Sequence, residues 1–496
     1  MDRFFDSLAD QLGDTVSTDH IKLITCIVAT YPLALIYRKL PAKSPTTRHL
    51  FSIGYALFTI VSVLKLYIRA VHIGLTAIFT WTFMKYFRGK NGPYVNFAVA
   101  MLSMAICHID RQLKGNEGDS KLDYSGPLMI TESDNRNSAT IREAEYNKRM
   151  KIDRYPTLFE YFGWLCFFGG FFVGPTCEYM EYYRYTNYFL VSSDKQPSPC
   201  KPALRQIMLG ILFGGITAFI GSAYNCFRFL DDDYLALPFC KKLLSYYITG
   251  FVWRLKFYCV WLLAEGSCIL SQFGYNGVDK EGNHRWDRMT NVDWVAVETS
   301  QSMQHASTRW NRSTTSWLRH YVYNRLCPPD TSKPTSLALI ATYVVSGLWH
   351  GFHPGYYGLL CSTGLIQILG RRIRRAVRPL VMSAKDPLKK SPLTVYKTIY
   401  NIAGNVVTMM LGAILIASFE LLHLSRVGIA WGSIYYIHIW GYLFTWAALL
   451  AMEPMLFKVQ KRRTKQEAAL VNIKNKESRV YILRNQMVVV QQCQVA

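Results

Sequence analysis

The sequence is poor in charge and in the motifs that mark common soluble enzymes. Charged residues make up 18% of its 496 positions, whereas 50% of the residues are hydrophobic and 14% are aromatic. GxSxG, Walker and strand-linked GxGxxG motifs are absent, which argues against a covalent serine mechanism, nucleotide hydrolysis and a dinucleotide cofactor. These absences direct attention to the apolar segments of the chain.

Cysteine pairs of the CxxC type are also missing. The twelve cysteines are scattered, mostly inside apolar blocks, which is typical of buried reduced thiols rather than of a disulfide framework or a zinc site. The first twenty residues lack a basic segment and a cleavage site, so they do not read as a signal peptide. We expect no metal, and we expect the first apolar run to remain as a membrane span.

Long apolar runs dominate the chain. A helix that crosses a bilayer needs about 20 predominantly apolar residues, and a soluble helix rarely stays apolar all round for that length. The pattern predicts an all-α, polytopic transmembrane bundle of about nine to eleven spans. It forms one membrane domain, residues 1–457, followed by a basic tail, residues 458–496. The runs are 21–37, 67–87, 94–109, 157–176, 204–224, 243–273, 337–370, 396–424 and 429–457.

The net charge of +23 comes from basic residues between the apolar runs and in the tail. This placement is typical of topology signals that face anionic lipid headgroups, so membrane lipids and no nucleic acid are the expected partners. Basic segments at 371–390 and 458–484 flank the last two spans, which predicts that both are cytosolic. One arginine in the first twenty residues and four basic residues in 38–48 predict a lumenal N-terminus.

A polar island at 274–333 interrupts the bundle and is both aromatic and basic. The apolar run after it, 337–370, is interrupted by WHGFHPG. It is therefore either one long bent span or two short segments that meet in the bilayer. Two segments would place the island on the same side as the basic segment that begins at Arg371, and one span would place it on the opposite side.

His350 is the most unusual residue in an apolar context. It follows an apolar helical run and precedes Gly351, which loosens the backbone. A packing role is the ordinary interpretation in a soluble core, but ionisable groups inside a membrane are costly and usually functional. A neutral imidazole is a plausible general base for an alcohol. His353 lies three residues on, but no third ligand at metal-binding spacing accompanies the pair.

Asn311 lies in the stretch RWNRSTTSWLRHYVYNRL, residues 309–326. From the residues alone it is a glycosylation acceptor, a helix-capping residue or a catalytic amide that donates to a developing oxyanion. The arginines and aromatic rings around it suit either a phosphate-bearing nucleotide ligand or an interfacial aromatic belt. These alternatives stay open at this level.

Several motifs in order resemble the membrane-bound O-acyltransferase family and its lysophospholipid acyltransferase branch, with the broad-specificity fungal members most similar. They are FFVGPTCEY at 171–179, AEGSCILS at 264–271, GYNG at 274–277, RWDR at 285–288, WN at 310–311, SGLWHGFHPGYY at 346–357 and WGSIYYIH at 431–438. The likeness extends from about Pro156 to His438. Tyr436 stands where phenylalanine is common in this branch, which is a mild departure.

This resemblance implies an acyltransferase of the endoplasmic reticulum membrane. Acyl-CoA enters from the cytosol as co-substrate, no cofactor is bound, and the acyl chain passes to the free hydroxyl, expected at sn-2, of a lysophospholipid. By the same resemblance His350 is the catalytic histidine and Asn311 is its partner on the cytosolic side, which removes the glycan interpretation. Expected substrate-binding residues are Trp286, Asp287, Trp310, Arg319, Tyr321, Tyr323, Trp349, Tyr356, Tyr436 and His438.

Other functions remain as alternatives. Within the same family the acceptor is a sterol, a diacylglycerol or a protein. A transporter would use His350 as a proton relay, but it would show inverted repeats or paired broken helices, which the sequence lacks. A non-catalytic membrane scaffold would not need His350 or Asn311.

Overall fold

The computed structural model describes residues 2–12, 18–41, 43–87, 89, 91–113, 141–189, 197–327, 335–381 and 395–494. Throughout these ranges the backbone is helical or irregular, and its one β-bridge joins Val278 to His284. The helices are α1 Asp2–Leu12, α2 Thr18–Lys39, α3 Pro45–Phe58, α4 Tyr67–Tyr86, α5 Gly92–Leu113, α6 Ile141–Met150, α7 Leu158–Leu165, α8 Tyr179–Arg184, α9 Cys200–Ile220, α10 Asp232–Leu235, α11 Phe239–Leu270, α12 Trp294–Glu298, α13 Met303–Arg309, α14 Arg312–Leu318, α15 Asn324–Leu326, α16 Ser336–His350, α17 Pro354–Val381, α18 Val395–Leu421, α19 Leu424–Gly432 and α20 Ile437–Gln494.

Among the described residues, five helices are long and apolar enough to cross a membrane: α2, α5, α9, α18 and the first part of α20. Large side chains such as Phe219 on α9 and Phe444 on α20 are exposed. An apolar surface of this kind suits lipid better than water. The prediction of an all-α, polytopic membrane protein is confirmed, and the count of nine to eleven crossings stays a prediction. The run at 157–176 is helical only over Leu158–Leu165 at its start.

The core of the bundle is built around α11, which packs against α9, α18 and α2. Its last turns, from Leu262 to Leu270, are buried throughout. Small residues allow the close approach of its neighbours: a Cβ on Gly210 would lie 2.8 Å from Leu263 Cγ, and one on Gly250 would lie 2.4 Å from Ala413 Cβ. Close backbone approach through glycine is how membrane helices gain packing energy, since lipid is as apolar as their side chains.

The apolar run at 337–370 forms two helices, α16 and α17, that pack against each other. The Gln367 amide donates to the Tyr343 hydroxyl at 2.6 Å, and Gly347 lies against the Tyr357 ring. These pairings are antiparallel, so the chain reverses between His350 and Pro354. Gly351 allows the reversal because its φ of 130° lies in a region that side chains disfavour. Of the two arrangements that the sequence left open, the structure adopts the two-segment one.

The polar island begins with a hairpin that brings GYNG and RWDR together. The Asn276 N–H donates to the Arg285 carbonyl and the Arg285 N–H donates to the Gly277 carbonyl, both at 2.8 Å. The Arg288 side chain donates to the Tyr275 carbonyl at 2.8 Å. The short helices α12 to α15 follow, and they carry Asn311 to the wall of the bundle.

The last helix, α20, runs without interruption from Ile437 to Gln494. The expected domain boundary between residues 457 and 458 therefore falls inside a helix, and it stays a prediction. The start of the tail packs against α17: the Gln460 amide donates to the Ala376 carbonyl at 2.6 Å. Nearer the N-terminal ends of both helices, Arg372 and Glu453 form an ion pair at 2.6 Å.

Candidate active site

A large cavity of about 2020 Å³ lies inside the bundle. Its walls come from the segment 170–181, from the polar island and from α11, α16, α17 and α18. The structure brings eight of the twelve predicted site residues to this cavity: His350, Asn311, Asp287, Trp310, Arg319, Tyr321, Tyr323 and Trp349. Asp287 and His350, which are 63 positions apart in the sequence, thus line the same cavity.

His350 is the last residue of α16 and lies where the α16–α17 hairpin reverses. Its ring is packed between aromatic rings. The Trp349 ring lies 4.4 Å away and the Phe419 ring 4.9 Å away, centroid to centroid, both edge to face, and the Tyr356 ring lies at 5.7 Å. A second, small cavity of about 20 Å³ also touches His350. His350 therefore contributes to the walls of both cavities, and its ring lies among aromatic neighbours.

Asn311 occupies an unusual backbone conformation. It is the N-cap residue of α14, with φ of 40° and ψ of 60°, and its side chain makes no capping hydrogen bond. Asparagine tolerates the left-handed region better than most residues. The helix-capping interpretation of this residue is therefore wrong, and the side chain amide is not used by the first turn of α14.

Trp310 fixes the position of the residue that follows it. Its indole lies among four aromatic rings of α11, with the closest centroid distance, 4.9 Å, to Trp261. The Trp253 ring is stacked on it at 5.9 Å. Large buried aromatic contacts of this kind are rigid and worth more than their area alone. The sequence predicted a substrate contact for Trp310; it lines the cavity, and it also holds the island against the core.

Basic side chains predominate on the cavity wall. Some are neutralised by partners, such as Arg254, whose guanidinium forms a bidentate pair with Glu298 at 2.7 and 2.8 Å. The carboxyl residues on the wall are Glu178, Glu181, Asp287 and Glu420, and the basic ones are Arg149, Arg254, Lys256, Arg285, Arg288, Arg312, Arg319, Arg325 and Arg371. A concave surface with this excess of positive charge attracts anionic ligands.

Glu178 is a partly buried carboxylate of the cavity wall. It accepts hydrogen bonds from the hydroxyls of Tyr146 at 2.6 Å and Tyr321 at 3.0 Å. Burial raises the pKa of the Glu178 carboxyl above its ordinary value, while the two hydrogen bonds act in the opposite direction. Glu178 thereby joins α6 to the island, because Tyr146 belongs to α6 and Tyr321 follows α14.

Asp287 of the RWDR motif accepts from Arg285 at 2.7 Å and from the Asn276 amide at 2.8 Å. Partial burial raises the pKa of Asp287, but these hydrogen bonds outweigh it, so that the pKa lies below its ordinary value. The carboxylate thus holds the two arms of the hairpin together in its charged form. Asp287 therefore stabilises the hairpin, and it also lines the cavity.

Four predicted substrate-binding residues do not line the main cavity: Trp286, Tyr356, Tyr436 and His438. Trp286 packs against the Tyr275 ring, and Tyr356 lines the small cavity beside His350. His438 is buried against the Trp431 ring at 4.4 Å. Tyr436 has a positive φ of 51° at the turn before α20, and its hydroxyl donates to the Gly428 carbonyl.

Two polar groups of the cavity were not singled out from the sequence. One is the Glu178 cluster, although Glu178 lies in the FFVGPTCEY motif. The other joins Ser307, Tyr343 and Gln367, where the Gln367 amide donates to the Ser307 hydroxyl at 3.0 Å and to Tyr343 at 2.6 Å. Tyr343 and Gln367 are polar residues within apolar helices, and this feature of the sequence could have marked them as candidate site residues.

Comparison with known proteins places these features in a family. A model of the membrane-bound O-acyltransferase family matches residues 140–414, which include the island and the α16–α17 hairpin. The lysophospholipid acyltransferase of Schizosaccharomyces pombe is 31% identical over 458 residues, covering 87% of this chain and 86% of that protein. That of Saccharomyces cerevisiae is 26% identical over 457 residues, covering 84% and 72%.

A plant relative extends the match over nearly the whole length of both chains. Lysophospholipid acyltransferase 2 of Arabidopsis thaliana is 26% identical over 477 residues, covering 93% of this chain and 98% of that protein. The residues that the family model matches include both His350 and Asn311. The chain belongs to the membrane-bound O-acyltransferase family, and it is an O-acyltransferase.

Proposed function

We propose that this protein transfers a fatty acyl chain from acyl-CoA to the free hydroxyl of a lysophospholipid, at sn-2, in the endoplasmic reticulum membrane. The observation that carries the proposal is that His350 and Asn311, a base and an amide from separate elements, line the same cavity. The names of the fungal and plant relatives support the acceptor class.

The reaction is a single transfer within a complex of both substrates. His350 removes the proton of the acceptor hydroxyl, and the oxygen attacks the thioester carbonyl. The carbon–oxygen bond forms, the carbon–sulfur bond breaks, and the departing CoA sulfur takes the proton from the imidazolium. Asn311 donates to the carbonyl oxygen as negative charge develops on it. A positioned base contributes about 10²–10⁴-fold and an oxyanion donor about 10²–10³-fold.

The charge of the cavity supports acyl-CoA as the donor. The phosphates of CoA are anionic, and the arginines of the wall, Arg319 and Arg325 among them, are suited to phosphate because of their planar donor geometry. The hydroxyl and amide groups of Ser307, Tyr343 and Gln367 supply hydrogen-bonding partners for the amides of a pantetheine arm. A ligand amide in a buried channel needs such partners, since an unpaired polar group is costly there.

The topology of the proposal follows from the hairpin. Since α16 and α17 reverse direction, the island and the basic segment that begins at Arg371 lie at the same end of the pair. Positive charge favours the cytosol, so the donor enters from that side. The C-terminal tail is then cytosolic, and the basic segment 38–48 after an N-terminus with one arginine supports a lumenal N-terminus.

The test uses purified full-length protein in detergent or vesicles, labelled oleoyl-CoA and a panel of lysolipids, with sterol and diacylglycerol as competing acceptors. We expect ester formation on a lysophospholipid, and we expect its loss in His350→Ala while the protein remains folded. A matched control is His284→Ala, because His284 is exposed on the hairpin. Ester formed only on a sterol or diacylglycerol would show that the acceptor is not a lysophospholipid. Transport without esterification, or full activity of His350→Ala, would refute the proposal.

A further inference from the structure

The turn that carries Asn311 lacks a cap of its own. A helix begins with unpaired backbone N–H groups, which the N-cap side chain ordinarily satisfies. Asn311 is the N-cap residue of α14 and provides no such bond. Another group must therefore satisfy the first amides of α14, and it must do so without occupying the Asn311 side chain.

Asn291 supplies both bonds. Its backbone carbonyl accepts from the Arg312 N–H at 2.7 Å, and its side-chain oxygen accepts from the Ser313 N–H at 3.3 Å. On the other side of Asn311, the Asp293 N–H donates to the Arg309 carbonyl at 3.1 Å. The segment 291–293 is thus hydrogen-bonded to the chain on both sides of Asn311.

This segment is itself held rigidly. The Asn291 side chain is 1% exposed. The neighbouring Thr290 hydroxyl donates to the Glu265 carboxylate of α11 at 2.6 Å, and the Gln206 amide of α9 donates to the same oxygen at 3.0 Å. The segment that holds the Asn311 turn is therefore connected, through Thr290, to α11 and α9, which pack closely against each other.

We propose that Asn291 is a positioning residue for acyl transfer. It takes over the capping of α14, holds Asn311 in the left-handed conformation and so leaves the Asn311 amide available to the cavity. If Asn311 capped its own helix, the amide oxygen would bond to the backbone and the side chain would turn away from a ligand. The inference rests on the proposed function, because it requires Asn311 to act on the thioester.

A double-mutant cycle tests this role. We expect Asn291→Ala to lower kcat by about tenfold or more, with the loss of about 10²–10³-fold expected for a missing oxyanion donor as its upper limit, and to change KM for acyl-CoA by less than about threefold. Because Asn291 acts through Asn311, the variant with both residues replaced by alanine should be no slower than Asn311→Ala alone. Asn291→Asp should recover most of kcat, since its carboxylate also accepts from Ser313 and suits a helix N-terminus.

Asn405→Ala is the matched control. Its amide donates to the carbonyls of Glu298 at 2.8 Å and Ser300 at 3.0 Å, so it also supports the island, but it does not contact the Asn311 turn. Its effect on kcat should multiply with that of Asn311→Ala. If Asn291→Ala does not yield folded protein, Asn291→Ser, whose hydroxyl is too short for the Ser313 contact, replaces it in the cycle.

The outcomes separate the two proposals. A slow Asn311→Ala whose effect multiplies with that of Asn291→Ala would overturn the positioning role and leave the proposed function intact. An Asn291→Asp variant as slow as Asn291→Ala would also overturn it. An unimpaired Asn311→Ala would overturn the role of Asn311, and the positioning role of Asn291 with it. A wild-type protein that forms no ester would instead overturn the proposed function.

Discussion

The ring of Phe419 lies edge to face against the ring of His350, with 4.9 Å between centroids and 85° between planes. Phe419 belongs to α18 and lines the same cavity as His350. This contact limits the rotation of the imidazole and keeps one side of it apolar. A neutral base of fixed orientation is what proton removal from an alcohol requires.

Phe419→Leu is expected to lower kcat by about three- to tenfold through looser orientation of the imidazole. Leucine retains apolar volume, so the loss of stability should be small, about 1 kcal/mol. Steady-state kinetics with acyl-CoA and a lysophospholipid, paired with a thermal unfolding curve, provide the measurement. An unchanged kcat would show that the ring contact does not orient the base.

Asn311→Ala is expected to lower kcat by about 10²–10³-fold while KM for acyl-CoA changes little, because an oxyanion donor acts mainly in the transition state. The measurement is the separate determination of kcat and KM. Asn283→Ala is a matched control, since Asn283 is exposed in the hairpin turn. A raised KM with unchanged kcat would assign Asn311 to substrate binding instead.

Gln367→Leu is expected to raise KM for acyl-CoA by about two- to tenfold and to leave kcat nearly unchanged, because a lost neutral hydrogen bond costs about 0.5–1.5 kcal/mol. Leucine is close in size to glutamine, so the cavity keeps its shape. The measurement varies acyl-CoA at saturating acceptor. An unaltered KM would show that the Ser307–Tyr343–Gln367 group does not bind acyl-CoA.

Gly412→Leu is expected to lower kcat/KM for acyl-CoA without loss of stability. Gly412 lines the cavity, and a Cβ there meets no atom within 4 Å, so a larger side chain extends into the ligand space. Gly215→Leu is the matched control: it also has open space but lies outside the cavity wall. Equal effects of the two substitutions on turnover would contradict the prediction.

Glu178→Gln is expected to flatten the dependence of stability on pH. The folded pKa of Glu178 is raised, so its contribution to the free energy of unfolding is fully present below the unfolded pKa, about 4.3, and is lost as pH rises through the folded value. Thermal unfolding across an acidic to neutral pH series measures this. Glu281→Gln, at an exposed position, should leave the pH dependence unchanged; the same dependence in wild type and Glu178→Gln would refute the assignment.

The sequence by itself determined the helical membrane architecture and pointed to His350 and Asn311 as the candidate site residues. Apolar runs of bilayer length have few other stable solutions, because backbone groups in lipid must be paired within a helix. A histidine at the end of such a run is costly, and this made His350 conspicuous. The order of the motifs pointed to the family that the comparisons confirm.

Only the tertiary structure decided how these parts meet. Hydropathy could not distinguish one bent span from the α16–α17 hairpin, because both bury the same apolar residues. The bond from the Asn291 carbonyl to the Arg312 N–H spans 21 residues, and the bond from Tyr146 to Glu178 spans 32. The packing of His438 against Trp431, outside the cavity wall, could not be predicted from the sequence either. Contacts of this kind depend on the relative placement of elements, and local sequence patterns report only the neighbours along one helix.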